Sequence, residues 1–344
     1  MPMQSKPNIV LIYTGGTIGM MKDFGTGALK AFDFSKLLSR IPELKQLDCD
    51  IETISFEHPI DSSNMNPGKW VQIAEMIEAN YDKFDGFVIL HGSDTMSYSA
   101  SALSFMLENL GKPVIFTGSQ LPIGDLRTDA KENLITAIEI AAQRKSDIPA
   151  VSEVCLYFEY KLYRGNRTTK INAEHFNAFA SPNYPPLAES GVHLKINREL
   201  LLPTNDSKNF TVHKRMDDNV AIIKMFPGIN QGVLSAILSI PNLRGVVLET
   251  YGTGNAPTEE WFIKAIANAI RGGMHVVNVT QCPAGSVNMG QYETSTQLRD
   301  LGVISGKDIT TEAAVTKLMY LLGQNLSTDV FKTRFETALR GELS

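Results

Sequence analysis

The chain has 344 residues, with 32 Lys and Arg against 37 Asp and Glu, a formal net charge of −5. Apolar residues make up 43%, too many for a disordered chain and enough for a sizeable core without disulfides or metal. The mildly acidic balance argues against a dedicated nucleic-acid binder, and no apolar run approaches the ~18 residues of a membrane helix.

At roughly 150 residues per domain, about two domains are expected. Short β-branched runs alternate with helical patterns. The first run, at 8–13 (NIVLIY), reads as a buried strand ending at a glycine turn. Its apolar part is only five residues long, so it does not read as a signal peptide. A helix follows at 67–80, with Trp70, Ile73, Ala74 and Ile77 on one face. Strands are expected at 87–90, 113–116 and 151–158, with helices at 95–109 and 129–142 between them. This order means βαβ units and a mainly parallel sheet flanked by helices. The stretch 195–219 is polar and changes charge sign repeatedly, so it reads as an interdomain linker. Beyond it come strands at 220–226, 245–249 and 275–280 and helices at 258–271, 311–322 and 328–339. The expectation is a larger N-terminal catalytic α/β domain (1–196), a linker (197–217) and a smaller C-terminal α/β domain (218–344). Cys49, Cys155 and Cys282 are far apart and odd in number, which suits free thiols in a reducing cytoplasm.

Several chemistries are disfavoured by missing motifs. No GxGxxG follows a strand, where only Gly15, Gly16 and Gly19 stand. There is no phosphate loop, no HExxH, and no GxSxG elbow. The six histidines are scattered without metal-ligand spacing. No metal and no cofactor are expected. In parallel α/β sheets ligands bind beyond the C-terminal ends of the strands. Those ends carry TGGT at 14–17, HGSDT at 91–95, TGSQ at 117–120 and YGTGN at 251–255. Hydroxyls, carboxylates and a lysine are therefore the available chemistry. Taken singly, each has a plain reading beside the functional one. Thr17 is a nucleophile or a turn cap, and Ser93 and Asp94 are reactive groups or helix caps. Asp61, Ser62 and Ser63 are a binding loop or a cap with spare hydroxyls. Lys170 lies in a basic loop of the kind that is ordinarily a solvated surface.

Taken together, IYTGGTIGM at 12–20 and HGSDTM at 91–96 resemble the two signatures of the bacterial-type L-asparaginase family. DSSNMNP at 61–67, FTGSQLPI at 116–123, YRGNRTTK at 163–170, YGTGNAP at 251–257 and TQC at 280–282 add to the likeness, which is closest to the cytoplasmic type I branch. The resemblance implies hydrolysis of L-asparagine to L-aspartate and ammonia without a cofactor. Thr17 matches the nucleophile that forms an acyl-enzyme, and Ser93, Asp94 and Lys170 match the proton-transfer group. Asp61, Ser62, Ser63 and Asp94 match residues gripping the substrate's α-amino and α-carboxylate groups. Ser119 matches a pocket-lining position, and Asn255 one donated across a subunit interface. A homodimer or homotetramer is implied, with no nucleic acid or membrane partner.

Three departures from the family pattern stand out. Ser93 replaces a Thr. The segment 20–32 lacks the tyrosine that activates the nucleophile in many members; Tyr292 is the candidate to replace it, or is a packing aromatic. Glu249 stands where allosterically activated relatives carry Arg, so an effector carboxylate would be repelled there. The competing readings are an asparaginase-like subunit of a tRNA-dependent amidotransferase and a non-catalytic amino-acid sensor. Glutaminase side activity is left open.

Overall fold

The structure is a computed structural model that describes residues 6–22, 29–31, 41–145, 148–204, 208–290 and 293–344. The chain divides into two compact units, Met1–Ser181 with Pro185–Lys214 and Pro182–Tyr184 with Arg215–Ser344. The expected larger N-terminal and smaller C-terminal α/β parts are both present.

In the first unit an eight-stranded sheet is built from β1 (Asn8–Gly15), β2 (Asp50–Ile60), β3 (Gly86–Leu90), β4 (Val114–Thr117), β5 (Val154–Phe158), β6 (Lys161–Arg164), β7 (Ala188–Glu189) and β8 (Lys195–Ile196). Read across the sheet, the order is β8-β7-β6-β5-β4-β3-β1-β2. The five strands from β5 to β2 are parallel, and β6, β7 and β8 extend the sheet antiparallel. The central strands are apolar on both faces because helices cover both: Ile9, Val10, Leu11 and Ile12 are each 0% exposed. Three helices alternate with the strands: α1 (Pro67–Asn80), α2 (Met96–Met106) and α3 (Ala130–Ala142). α1 starts where Asn66 caps it, its side chain accepting from Lys69 N at 3.2 Å, with Pro67 in the first turn.

The chain leaves β1 for β2 on one side and returns to β3 on the other. The order reverses between β1 and β3, which opens a crevice at their C-terminal ends.

The second unit holds a four-stranded parallel sheet of β9 (Val220–Lys224), β10 (Gly245–Thr250), β11 (His275–Thr280) and β12 (Ile304–Ser305), in that order. Its helices are α4 (Gln231–Leu238), α5 (Glu260–Arg271), α6 (Glu293–Asp300), α7 (Thr311–Leu322) and α8 (Thr328–Glu336). Phe262 and Ile266 of α5 and Leu234 of α4 are buried with Val246 and Leu248 of β10. Among the described residues no helix is long and apolar enough to cross a membrane.

Several elements differ from the sequence expectation. β2 was not expected, because an edge strand reading DIETISFEHPI carries charge on its open side and no clean apolar run. α2 stops at Met106 instead of 109, since Leu107 and Glu108 leave the helix to pair with Val212 and Thr211. α4 and α6 were also missed. α4 is eight residues long with a glycine in its first turn, too short for a clear 3.6-residue period. Within the 197–217 stretch lie a 3-10 turn at Arg198–Leu200 and the short strand Thr211–Val212. Leu202 N there donates to the Glu153 carboxylate at 2.9 Å.

Candidate active site

Four strand-end loops meet at the crevice. β1 ends in Gly15 and Gly16, which enter a 3-10 turn at Thr17–Gly19. Gly16 has φ +88°, and a Cβ on it would lie 2.4 Å from Gly92 N, so only glycine lets this turn cross the end of β3. Thr17, half-buried, follows directly. On the far side, a Cβ on Gly15 would lie 2.0 Å from Ile60 O at the end of β2. β2 leads into Asp61, which caps a 3-10 turn at Ser62–Asn64. The loops after β2 and β3 are tied together, since Thr95 Oγ1 donates to Ser62 O at 2.7 Å. A Cβ on Gly92 would lie 2.5 Å from Ser62 Oγ, so that hydroxyl sits on the Gly92 backbone.

Ser93, Asp94 and Lys170 are brought into direct contact. Lys170 Nζ donates to Ser93 Oγ at 2.9 Å and to Asp94 Oδ1 at 2.7 Å. Ser93 and Asp94 open the 3-10 turn Ser93–Thr95 after β3. Lys170 comes from a two-residue strand, Thr169–Lys170, paired antiparallel with Phe179–Ala180. Its side chain is 18% exposed, while Asp94 faces solvent. The loop that carries Lys170 is not a solvated surface. Arg164 and Arg167 are buried within it, and Arg164 Nε meets the buried Glu153 carboxylate at 2.6 Å. Burial of that pair satisfies charges that would otherwise hold the loop in water.

Asp61 accepts from Ser63 N and Ser63 Oγ, both at 2.9 Å. These bonds, the backbone one first, hold its carboxyl below the usual Asp range and so ionised. Ser62 is buried and Ser63 exposed. Ser119, in the loop after β4, is 2% exposed and donates its proton to Leu121 O at 2.6 Å. Asn255 belongs to the second unit, where its N–H and C=O bridge to Tyr251. Tyr292 lies outside the described residues. Glu249, at the end of β10, accepts from Thr311 Oγ1 at 2.6 Å and faces Lys224 Nζ at 3.4 Å. Among the described residues, no group of three or more His, Cys, Asp or Glu could hold a metal ion.

Two further residues matter that sequence reasoning missed. The first is Gln120. Its Nε2 donates to Ala173 O at 3.2 Å and His175 O at 3.1 Å. Those carbonyls accept only, so the amide orientation is determined and Oε1 faces Ser93 Oγ at 3.1 Å. Ser93 therefore gives its proton to Gln120 and takes one from Lys170. The only sequence signal was a polar amide at a strand end. The second is His91, which is fully buried. Nδ1 lies 2.7 Å from Gly92 O and Nε2 lies 2.9 Å from Ser99 Oγ. Burial pushes its pKa down to about 4, against a smaller upward pull from Gly92 O. Its signal was position alone: it opens the HGSDT run.

Comparison with known proteins agrees over nearly the whole chain. The family model for asparaginase, N-terminal, matches residues 8–202. The model for the glutaminase/asparaginase C-terminal domain matches residues 219–335. L-asparaginase 1 of Escherichia coli K12 is 45% identical over 340 residues, covering 98% of each chain. The crystal structure of L-asparaginase I from Vibrio cholerae superposes with a TM-score of 0.90 at 44% identity, covering 99% of this chain and 100% of that one. The thermostable L-asparaginase from Thermococcus kodakarensis gives 0.89 at 32% identity, covering 98% and 99%. The chain belongs to the asparaginase family.

Proposed function

We propose that the protein hydrolyses L-asparagine to L-aspartate and ammonia through an acyl-enzyme on Thr17. The observation that carries this reading is the contact of Lys170 Nζ with both Ser93 Oγ and Asp94 Oδ1, on the turn that Gly16 packs against. In the first step Thr17 Oγ attacks the side-chain amide carbon, the Thr17 proton goes to the amide nitrogen, the C–N bond breaks and ammonia leaves. In the second, water attacks the Thr17 ester, the ester C–O bond breaks and Thr17 recovers a proton. Ser93, Asp94 and Lys170 move protons and orient the attacking water. Ser93 sits between a hydrogen-bond donor, Lys170, and a hydrogen-bond acceptor, Gln120, which holds its hydroxyl beside the lysine that exchanges protons with it.

The ionised Asp61 suits the substrate's ammonium, with Ser62, Ser63 and Asp94 completing the grip on its α-substituents. Ser119 retains oxygen lone pairs for the substrate amide. Tyr292 and Asn255 are further candidate site residues, and the assembly is a cytoplasmic homodimer or homotetramer. The test is ammonia release over a range of asparagine and glutamine concentrations, for the native chain and for Thr17→Ala. Asparagine turnover by the native chain alone supports the reading. Tight asparagine binding without turnover would replace it with an amino-acid sensor.

A further inference from the structure

The ring of His91 is enclosed in the first unit. Ser99 of α2 reaches it, Trp70 of α1 reaches Ser99 in turn, and Phe116 of β4 meets the ring edge-on with centroids 5.8 Å apart. The protons in this cluster are fixed by donor and acceptor chemistry. Gly92 O can only accept, so Nδ1 carries the hydrogen. In a neutral ring Nε2 is then an acceptor, and Ser99 Oγ must donate to it. Trp70 Nε1 is a donor only, and it donates to Ser99 Oγ at 2.9 Å. A one-way chain runs from Trp70 through Ser99 and His91 to the carbonyl of Gly92.

That carbonyl belongs to the peptide joining Gly92 to Ser93. The peptide is trans and planar, so its N–H points opposite to its C=O. With Gly92 O turned toward the buried ring, Ser93 N–H is turned away from the core. As the first residue of its 3-10 turn, Ser93 has no preceding helical carbonyl to bond. The same peptide plane sets where the Ser93 and Asp94 side chains start, and Lys170 reaches both. Gly92 is also the residue against which Gly16 is pressed, one position before Thr17.

We infer that His91 is a positioning residue: its Nδ1–H, oriented by the Trp70–Ser99 donor chain, holds the Gly92 carbonyl inward and thereby aims the Ser93 N–H and the Ser93–Asp94 turn at the reacting amide. This role rests on the proposed hydrolysis. A peptide N–H fixed in advance toward the site is suited to hold the oxygen that becomes negative when Thr17 attacks. His91 touches neither substrate nor reacting atoms. Burial keeps the ring neutral across the working range, so the donor is present throughout.

The test compares His91→Asn, His91→Gln and Ser99→Ala with the native chain, by asparagine kinetics and by ¹⁵N-histidine NMR. Asn places an amide N–H where Nδ1 stood, whereas Gln carries its amide one carbon further out. The expected result for His91→Gln is a roughly 100-fold fall in kcat with little change in KM. His91→Asn should keep kcat within about tenfold of native, although both lose the aromatic packing. In the native spectrum one of the six histidines should be neutral with Nδ1 protonated, and its signal should vanish in both His91 variants. Ser99→Ala removes the donor to Nε2 but keeps the Gly92 O acceptor, so it should keep Nδ1 protonated while the loosened ring lowers kcat. The inference is overturned by an Nε2-protonated ring in the native chain, by equal kcat losses in Asn and Gln variants, or by an unchanged kcat in Ser99→Ala. A native chain inactive on asparagine would instead count against the hydrolysis, since the spectrum reads the tautomer without turnover.

Discussion

Lys170 Nζ lies 2.9 Å from Ser93 Oγ, two residues 77 positions apart in the chain. The contact is made by a β3 loop and a two-residue strand, Thr169–Lys170, anchored by buried Arg164 and Arg167. Because the Gln120 amide is held by two carbonyls, the Ser93 proton has one direction and the Lys170 proton the other. Groups coupled this closely act as a unit. Ser93→Ala and Lys170→Met should each lower kcat by roughly 10²–10⁴-fold, and the double variant should be hardly worse than either. Ser93→Thr, which keeps the hydroxyl, should retain most activity. A double-mutant cycle on kcat decides it. Multiplicative losses would show two independent residues.

Thr17→Ala should abolish asparagine hydrolysis while leaving the fold in place. Thr17 is half-buried at a turn whose shape is set by Gly15 and Gly16, not by its own side chain. The melting temperature should therefore stay within a few degrees, as is usual for a substitution that opens no cavity. Turnover at the native rate would remove Thr17 from the mechanism.

Much of this site was visible in the sequence as residue types at strand ends. Parallel strands place their C-terminal loops on one edge, so TGGT, HGSDT and TGSQ had to lie near one another once the sheet was parallel. The contact partners were not visible. Nothing in the linear order says that Gln120 faces Ser93, because that depends on the carbonyls of Ala173 and His175 presented by a distant turn. The burial of Arg164 was equally hidden. It requires Glu153, eleven residues earlier and just before β5, and a basic loop without that partner would be solvated. β2 was illegible for a different reason. As an edge strand it buries one residue clearly, Phe56, and leaves Asp50, Glu52 and Glu57 with more water contact.

Glu249 is expected to keep asparagine saturation free of the effector mode that its position serves in relatives with Arg there. Its carboxylate already takes the Thr311 hydroxyl and faces Lys224. A second carboxylate arriving there would meet like charge. Initial rates should follow a hyperbola, and Glu249→Arg should alter the curve if the rest of that pocket is competent. A sigmoidal curve for the native chain that persists in Glu249→Gln would place any effector elsewhere.

In the second unit, Lys317 and Glu342 form an ion pair with no exposure on either side chain. Lys317 Nζ also donates to Phe335 O at 2.7 Å and Thr337 O at 2.8 Å. Glu342 accepts from Leu339 N and Arg340 N. The pair thus pins the last residues of the chain to α7. Removing one charge leaves the other buried and alone, so Lys317→Met should cost about 3–5 kcal/mol. The double variant Lys317→Met with Glu342→Leu removes both charges and should recover part of that loss. Urea unfolding of the native chain and the two variants checks the order. A double variant worse than Lys317→Met by the full cost of a second lesion would mean the two side chains stabilise independently.

His91 gives the fold a pH dependence whose sign can be worked out. An imidazole in the unfolded chain titrates near 6.5, while burial lowers the folded value to about 4. Between those values the unfolded state binds more protons, so stability falls as pH is lowered. The contribution is fully present above pH 6.5, is lost progressively below it, and reaches its limit near pH 4. The gap between 6.5 and about 4 corresponds to roughly 3 kcal/mol. His91→Asn has no titrating ring at this position, so its urea midpoint should fall less steeply across that window. The difference between the two chains isolates His91 from carboxylates that titrate in the same range. Parallel curves for the native chain and His91→Asn from pH 7 to 4 would mean that the ring protonates as readily in the fold as outside it.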